Sequence, residues 1–382
     1  MTPSSTVSTD PVSKTDWLAV AEELVPTFAA RAAGHDADDT FVSENYADLR
    51  KRRVFSAAVP AELGGGGASH AEMCEVLRTL ARACSSTALA LAMHTHQVLI
   101  PVWRWRHERA PVEGMLRRLA TEELILASSG GSDWLTGSGR AEKVEGGYRV
   151  TARKIFTSGS PSADLFSTMA VYDDPVEGPT VLHFVVPFDS PGVKIHDNWR
   201  TLGMRGTGSH DVTLDGVFVS DAAISVRRPS GRWSHVWHVV AANALPTVYS
   251  VYLGVAEAAR DVAVREAGPR RDDHAIQDMV GAMDTELAAA RMAWRSMVEA
   301  GNRGRVGPDV TNDVMIGRAL VGRAALRTVE AAMEVAGGAG FFRSAGLERL
   351  FRDVQGARYH ALRDPAQQRY AGRLALGLDP NE

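Results

Sequence analysis

Two stretches carry side chains whose types and spacing could do chemistry. Residues 127–166 read ASSGGSDWLTGSGRAEKVEGGYRVTARKIFTSGSPSADLF. Glycines at 130, 131 and 159, with hydroxyls at Ser128, Ser129, Ser132, Thr157 and Ser158, leave backbone N–H groups open and add small donors. Such a surface suits a flat, polar, partly anionic ligand that the backbone must approach closely. The same composition also describes ordinary hairpin turns. The second stretch, CSSTALALAMHTHQVLI, holds His94 and His96. On a helix, residues two apart face different directions, so at most one of them reaches a given ligand. The alternative for either is a hydrogen-bonded core histidine.

The elements that must position these groups follow from patterning. Trp17, Val20, Ala21, Leu24 and Val25 recur at helical spacing, and helix is expected across residues 16–123. The glycine-rich run VPAELGGGG interrupts it, and His70 to Ile100 reads as a long apolar helix lining a pocket. Residues 124–235 turn to β-character. YRVTARKIF, LFSTMAVY, TVLHFVVP and HDVTLDGVFV are separated by Gly, Pro and Asp turns, which predicts a small antiparallel barrel or sandwich. Residues 236–382 return to helix in three long amphipathic runs. The expected class is α+β: a helical domain, a β-domain and a helical bundle. Residues 1–15, rich in Ser and Thr, read as a disordered tail without the apolar core of a signal peptide.

Composition narrows the function classes. The chain has 382 residues, is 45% hydrophobic and carries a formal net charge of -4. That charge gives no electrostatic case for nucleic acid or an anionic membrane. Cys74 and Cys84 match no zinc or redox spacing, so no metal is expected and a reduced, cytoplasmic protein is. No apolar run is expected to reach the length of a membrane span.

GGSD followed by a strand, then ARKIFTSG and ADLF, resembles the flavin-facing middle domain of the acyl-CoA dehydrogenase superfamily. Phe156, Thr157 and Ser158 stand where that family has Trp, Ile and Thr against the isoalloxazine ring. VPAELGGGG resembles a turn near the end of the family's first helical domain. GMRGTGSHDVTLDGVFV resembles its G-x-R-x-T-x-S segment, which implies Arg205, Thr207 and Ser209 near the substrate mouth. A surface hairpin with a stray Arg is the other reading. The resemblance covers nearly the whole chain past the tail, and it implies the family's order of domains.

The family's dehydrogenases take the substrate's α-proton on a carboxylate. Counting from the shared Arg352-Asp353, His360 falls on the family's Tyr and Ala361 on its Glu. A second family group carries its base on an earlier helix, at the position of Ala244. Alanine cannot take a proton, so α,β-dehydrogenation lacks its usual base. Asp364, the nearest carboxylate, precedes Pro365 and reads as a helix N-cap. RYHALRDP instead resembles the superfamily's oxygenase branch, which includes dibenzothiophene monooxygenase and amino-sugar nitrososynthases. That branch takes reduced flavin from a separate NAD(P)H flavin reductase and reacts it with O2. The resemblance places His360 and Ser158 at the reacting edge of the flavin, with His94 or His96 facing the pocket. Arg363 stands where the dibenzothiophene enzyme has a second His, and an Arg can donate but cannot act as a base.

The flavin expected is FMN or FAD, supplied reduced. Ser129, Gly131, Ser132, Phe156, Thr157 and Ser158 would hold its ring. Glu334 to Gly340 resembles the family's Q-x-x-G-G-x-G with Glu for Gln, which implies contacts from Gly337 and Gly338 to a neighbouring subunit's flavin. Arg270 or Arg271 would meet a phosphate. The GGAG run reads equally as a helix C-cap turn. A homotetramer acting on a small-molecule substrate is the implied assembly.

Overall fold

A computed structural model describes residues 15–131 and 133–381. The tail expected over residues 1–15 therefore falls, but for Thr15, outside the described residues, as does Ser132. Five helices come first: α1 (Trp17–Ala37), α2 (Ser43–Lys51), α3 (His70–Ala83), α4 (Ser85–Glu108) and α5 (Glu113–Glu122). Eight strands follow: β1 (Leu126–Ser128), β2 (Arg140–Val144), β3 (Gly147–Thr157), β4 (Leu165–Asp174), β5 (Gly178–Pro187), β6 (Val193–Ile195), β7 (His210–Ser220) and β8 (Ile224–Pro229). Helix then returns as α6 (His235–Ala267), α7 (His274–Gly301), α8 (Pro308–Ala336), α9 (Leu347–Val354) and α10 (Asp364–Ala375). The order helices, sheet, helices is the one expected.

Local chemistry sets the helix ends. Asp16 caps α1, its carboxylate accepting from the N–H groups of Leu18 and Ala19. Ser69 and Glu72 form a reciprocal capping box at the start of α3, each satisfying a donor that the helix cannot. The long helix expected over residues 70–100 is instead two. Cys84 adopts an extended conformation (φ -145, ψ 98) between α3 and α4. That break frees Ser85 to bond Asp353 of α9, a long-range contact no local pattern encodes. The glycine loop after Val59 is explained by crowding. A Cβ at Gly66 would stand 2.1 Å from the Trp17 ring.

The sheet runs β6-β7-β3-β2-β4-β5-β8, with β1 joined to β4. It is mixed where purely antiparallel pairing was expected, because β1 and β2 both run parallel to β4. Val150 of β3 and Leu214 of β7 share one apolar core with Phe166 of β4 and Phe184 of β5. Near its end, β3 loses register with β7: Lys154 pairs with Val212 but Thr157 with His210. One extra residue is accommodated there, and Phe156 takes φ 57. Such a bulge bends the strand and re-aims side chains. It leaves the Phe156 ring 50% exposed, edge-on to Trp199.

Helix α6 is the spine of the second helical layer, packed on α3, α4, α7 and α8. Contrary to expectation, by length and composition it could cross a membrane, yet 94% of its most apolar window is buried in the protein. Alanines and close-packed neighbours explain that apolarity. It runs antiparallel to α4: His235 bonds Glu108 at one end, while Tyr252 and Ser85 approach the α9 region at the other.

Candidate active site

The GSD turn and β3 are joined from beneath. Lys154, on the buried face of β3, places its ammonium 2.9 Å from the Asp133 carboxylate and 2.8 Å from the Ser138 carbonyl. All three of its donors are taken, because Ser138 Oγ accepts the third. Burial lowers the Lys154 pKa and the Asp133 charge raises it. The pair thus pins the turn to the strand. Ser129 adds a hydroxyl contact of 2.7 Å to Thr168 of β4, while Gly131 is exposed with open space above its Cα.

Beyond the bulge, three hydroxyls form a chain. Ser158 Oγ lies 2.7 Å from Ser209 Oγ, which lies 2.7 Å from Thr207 Oγ1, which donates to the Met204 carbonyl. All three residues are buried. Thr207 and Ser209 thus join Ser158 in one buried hydroxyl chain, on the segment where the family pattern implied a substrate mouth. Arg205 donates to the carbonyls of Thr201 and Asp36 and lies 3.5 Å from the Asp39 carboxylate. Thr157 Oγ1 is buried without a partner among the described residues.

The Met204–Ser209 segment is held by α9. Asp353 is buried and accepts from the Met204 N–H and from Ser85 Oγ. Burial pushes its carboxyl up and the Ser85 bond opposes this. Arg352 bonds Asp36 at 2.9 Å and the Leu202 carbonyl at 3.1 Å. A Cβ at Gly203 would stand 2.3 Å from the Arg352 carbonyl, so only glycine fits that crossing.

A second group of side chains gathers where α4, α6 and residues 359–363 meet. His360 Nε2 lies 2.6 Å from Tyr252 Oη, a hydrogen bond whose direction depends on the tautomer. Its ring also contacts Tyr249, and Arg318 donates to its carbonyl at 2.9 Å. Burial, then the Arg318 charge and repulsion from His96, hold the His360 imidazole down to about 4. His96 donates from Nδ1 to the Ala92 carbonyl at 3.0 Å, and burial likewise lowers it to about 4. Nδ1 of His360 and Nε2 of His96 remain without partners among the described residues. His94 is different. Its Nε2–H donates to the Phe55 carbonyl at 2.8 Å and its Nδ1 accepts from the Leu126 N–H at 3.0 Å. Both nitrogens are engaged, so His94 is the seam between α4 and β1 and has no lone pair for a proton in transit.

Arg363 is exposed and supplies the N-cap backbone of α10. Asp364 is the first helical residue and not the cap expected. Its carboxylate pairs with the buried Arg318 at 2.7 Å, which removes it as a free base. Arg270 donates to the Val335 carbonyl at the end of α8, beside Gly337, the C-cap of that helix at φ 59. Gly338 is exposed in the same turn. The sequence reading missed Tyr252, Arg318 and Asp353, whose partners lie far away in the chain. Among the described residues no group of three His, Cys, Asp or Glu side chains could hold a metal ion.

Three family profiles match in order: acyl-CoA dehydrogenase N-terminal domain over residues 18–123, middle domain over 127–217 and C-terminal domain over 240–361. The chain belongs to the acyl-CoA dehydrogenase family. It is 30% identical to the amino sugar nitrososynthase RubN8 of Streptomyces rubradiris, across 95% of this chain and 90% of that one. It is 29% identical to the putative acyl-CoA dehydrogenase YdbM of Bacillus subtilis, across 92% and 94%. A structure of KijD3 in complex with FMN and a dTDP-linked amino-keto sugar superposes with a TM-score of 0.87 at 28% identity, covering 98% of this chain and 97% of that one.

Proposed function

We propose that this chain is the oxygenase component of a two-component flavin monooxygenase acting on a small organic substrate. The observation that carries this reading is the imidazole pair. His360 and His96 each present a free nitrogen, while both carboxylate-base positions of the dehydrogenases are alanine, Ala361 and Ala244. Neutral imidazoles can accept a proton from substrate or donate one to a reduced oxygen species. Reduced flavin, when bound, supplies the electrons that activate O2.

The residues present fit that group. The unpartnered Thr157 Oγ1 and the open Gly131 await a polar, closely approaching ligand, and the exposed Phe156 ring offers a face to stack on. Ser158, backed by Ser209 and Thr207, holds the reacting edge of the ring, with Ser129 on the turn opposite. Arg270, Gly337 and Gly338 sit on a helix end that reaches the phosphate side of a neighbouring subunit's flavin. The FMN in the KijD3 structure favours FMN over FAD. Reduced flavin comes from a separate NAD(P)H flavin reductase, in the cytoplasm.

The test mixes the protein with anaerobically reduced FMN and then O2 in a stopped flow. Oxidised flavin is expected to return far more slowly than it does free in solution. The similarity to YdbM favours a second reading, an FAD acyl-CoA dehydrogenase. Ready reduction of bound flavin by acyl-CoA substrates would select it. Flavin binding without either reaction would mark a member that binds but does not turn over.

A further inference from the structure

The proton on each imidazole of the pair is placed by what the ring touches. His96 sets Nδ1 3.0 Å from the Ala92 carbonyl. A carbonyl only accepts, so Nδ1 carries the hydrogen of the ring. Burial keeps that ring neutral, and a neutral imidazole protonated on Nδ1 has its lone pair on Nε2. His96 is 7% exposed, and its Nε2 has no partner among the described residues.

Tyr252 decides the other ring. Its Oη lies 2.6 Å from His360 Nε2, and geometry alone allows either atom to donate. Tyr252 is 0% exposed, and burial raises its pKa well above the usual phenol value. The hydroxyl therefore keeps its proton and needs an acceptor inside the protein. The acceptors around it are engaged elsewhere. The Ala357 carbonyl takes the Tyr249 hydroxyl at 2.8 Å, and the Gly356 carbonyl takes the Tyr359 N–H. The Asp353 carboxylate, whose charge acts on Tyr252, takes the Met204 N–H and Ser85 Oγ. Among the described residues, His360 Nε2 is the acceptor that bonds Tyr252 Oη. A Cβ at Gly356 would stand 2.7 Å from that oxygen, so glycine lets the loop close on it. Tyr252 thus donates to Nε2, and the hydrogen of the neutral His360 ring sits on Nδ1.

Resting on the oxygenase reading, we propose that Tyr252 is a positioning residue that fixes His360 as the hydrogen-bond donor of the pair and leaves His96 as its base. The two rings then present opposite groups, an N–H from His360 and a lone pair from His96. They lie close enough for a charge on His96 to act on His360. His360 Nδ1–H holds reduced oxygen, where a fixed donor stabilises the negative charge that builds up. It takes no proton, because a protonated Nδ1 has no lone pair. His96 Nε2 takes the proton of the substrate: the substrate's bond to that hydrogen breaks as Nε2–H forms, and the electron pair stays on the substrate. Without Tyr252 Oη nothing keeps the His360 hydrogen on Nδ1, and a lone pair there repels the oxygen it should hold.

The test uses the full chain, free of flavin, with isotope-labelled histidine in solid-state nitrogen NMR, where protonated and bare ring nitrogens resonate apart. The signals lost in His96→Gln and His360→Gln assign the two rings. Both wild-type rings are expected in the Nδ1–H form. Tyr252→Phe keeps the ring against Tyr249 and removes only Oη; it should add an Nε2–H form at His360 and leave His96 unchanged. A wild-type His360 or His96 protonated on Nε2, or a His360 ring indifferent to Tyr252→Phe, overturns the proposal. A second readout mixes O2 with each protein carrying reduced FMN. Tyr252→Phe should return oxidised flavin about tenfold faster than wild type, and equal rates overturn the donor role. Wild type that reoxidises flavin as fast as free solution does sinks the oxygenase reading instead, and leaves the tautomers, read without flavin, standing.

Discussion

His360 is the side chain on which the proposed chemistry depends most. Held neutral by burial and by the charge of Arg318, it keeps one free nitrogen beside Tyr252. His360→Ala should cut product formation by about 10²–10⁴-fold while flavin reoxidation continues and hydrogen peroxide is released instead. Oxygen uptake measured against product distinguishes this uncoupling from simple loss of flavin. Ser158→Ala breaks the front of the hydroxyl chain and leaves Ser209 with Thr207 alone. The fold should persist, and the loss of about 1–3 kcal/mol should show as weaker flavin binding by fluorescence titration. Unchanged affinity and turnover would mean that Ser158 does not meet the flavin.

At the scale of elements, the site depends on how β3 ends and how α9 holds the loop beside it. The extra residue at Ile155–Phe156 is invisible to a period-two pattern, which simply continues through KIF. Only the partner strand reveals it, because register is a property of a pair. The same limit explains the two-helix answer over residues 70–108: Cys84 carries no breaker signal, and the reason for the break is Asp353, far away in sequence. By contrast, the helix, sheet, helix order was readable, because periodicity and family motifs are local. So was the turn around Asp133, though not the Lys154 ammonium beneath it. Asp353→Ala should lower unfolding free energy by about 3 kcal/mol, since it orphans the buried Met204 N–H and Ser85 Oγ together. Urea denaturation measures it, and a cost below about 1 kcal/mol would show that the loop is held by other contacts.

At the scale of the molecule, two behaviours follow from what is buried and what is not. Leu320 of α8 is 48% exposed, and Phe341, in the turn after it, 84%. This apolar surface motivates the proposed tetramer. Sedimentation should find an oligomer that Leu320→Asp weakens, and a wild-type monomer that binds flavin tightly would refute shared sites. Acid is the second axis. His70, His94 and His96 are buried and held to about 4, against about 6.5 unfolded. The unfolded chain therefore binds more protons than the folded one between these values, and stability falls as pH drops from about 6.5 toward 4. Each such group contributes up to about 3 kcal/mol. Denaturation midpoints at pH 7 and pH 5 test this, and equal midpoints would contradict it.

The doubly bonded His94 has an implication for how this protein will look under selection. A neutral ring offering a donor to Phe55 and an acceptor to Leu126 is matched in shape and polarity by almost no other side chain; Gln and Asn come nearest. Position 94 should therefore be as intolerant in a saturation library as a residue that handles substrate. Its lesions should separate by abundance: variants at 94 lose the protein, whereas those at 360 keep the protein and lose the product.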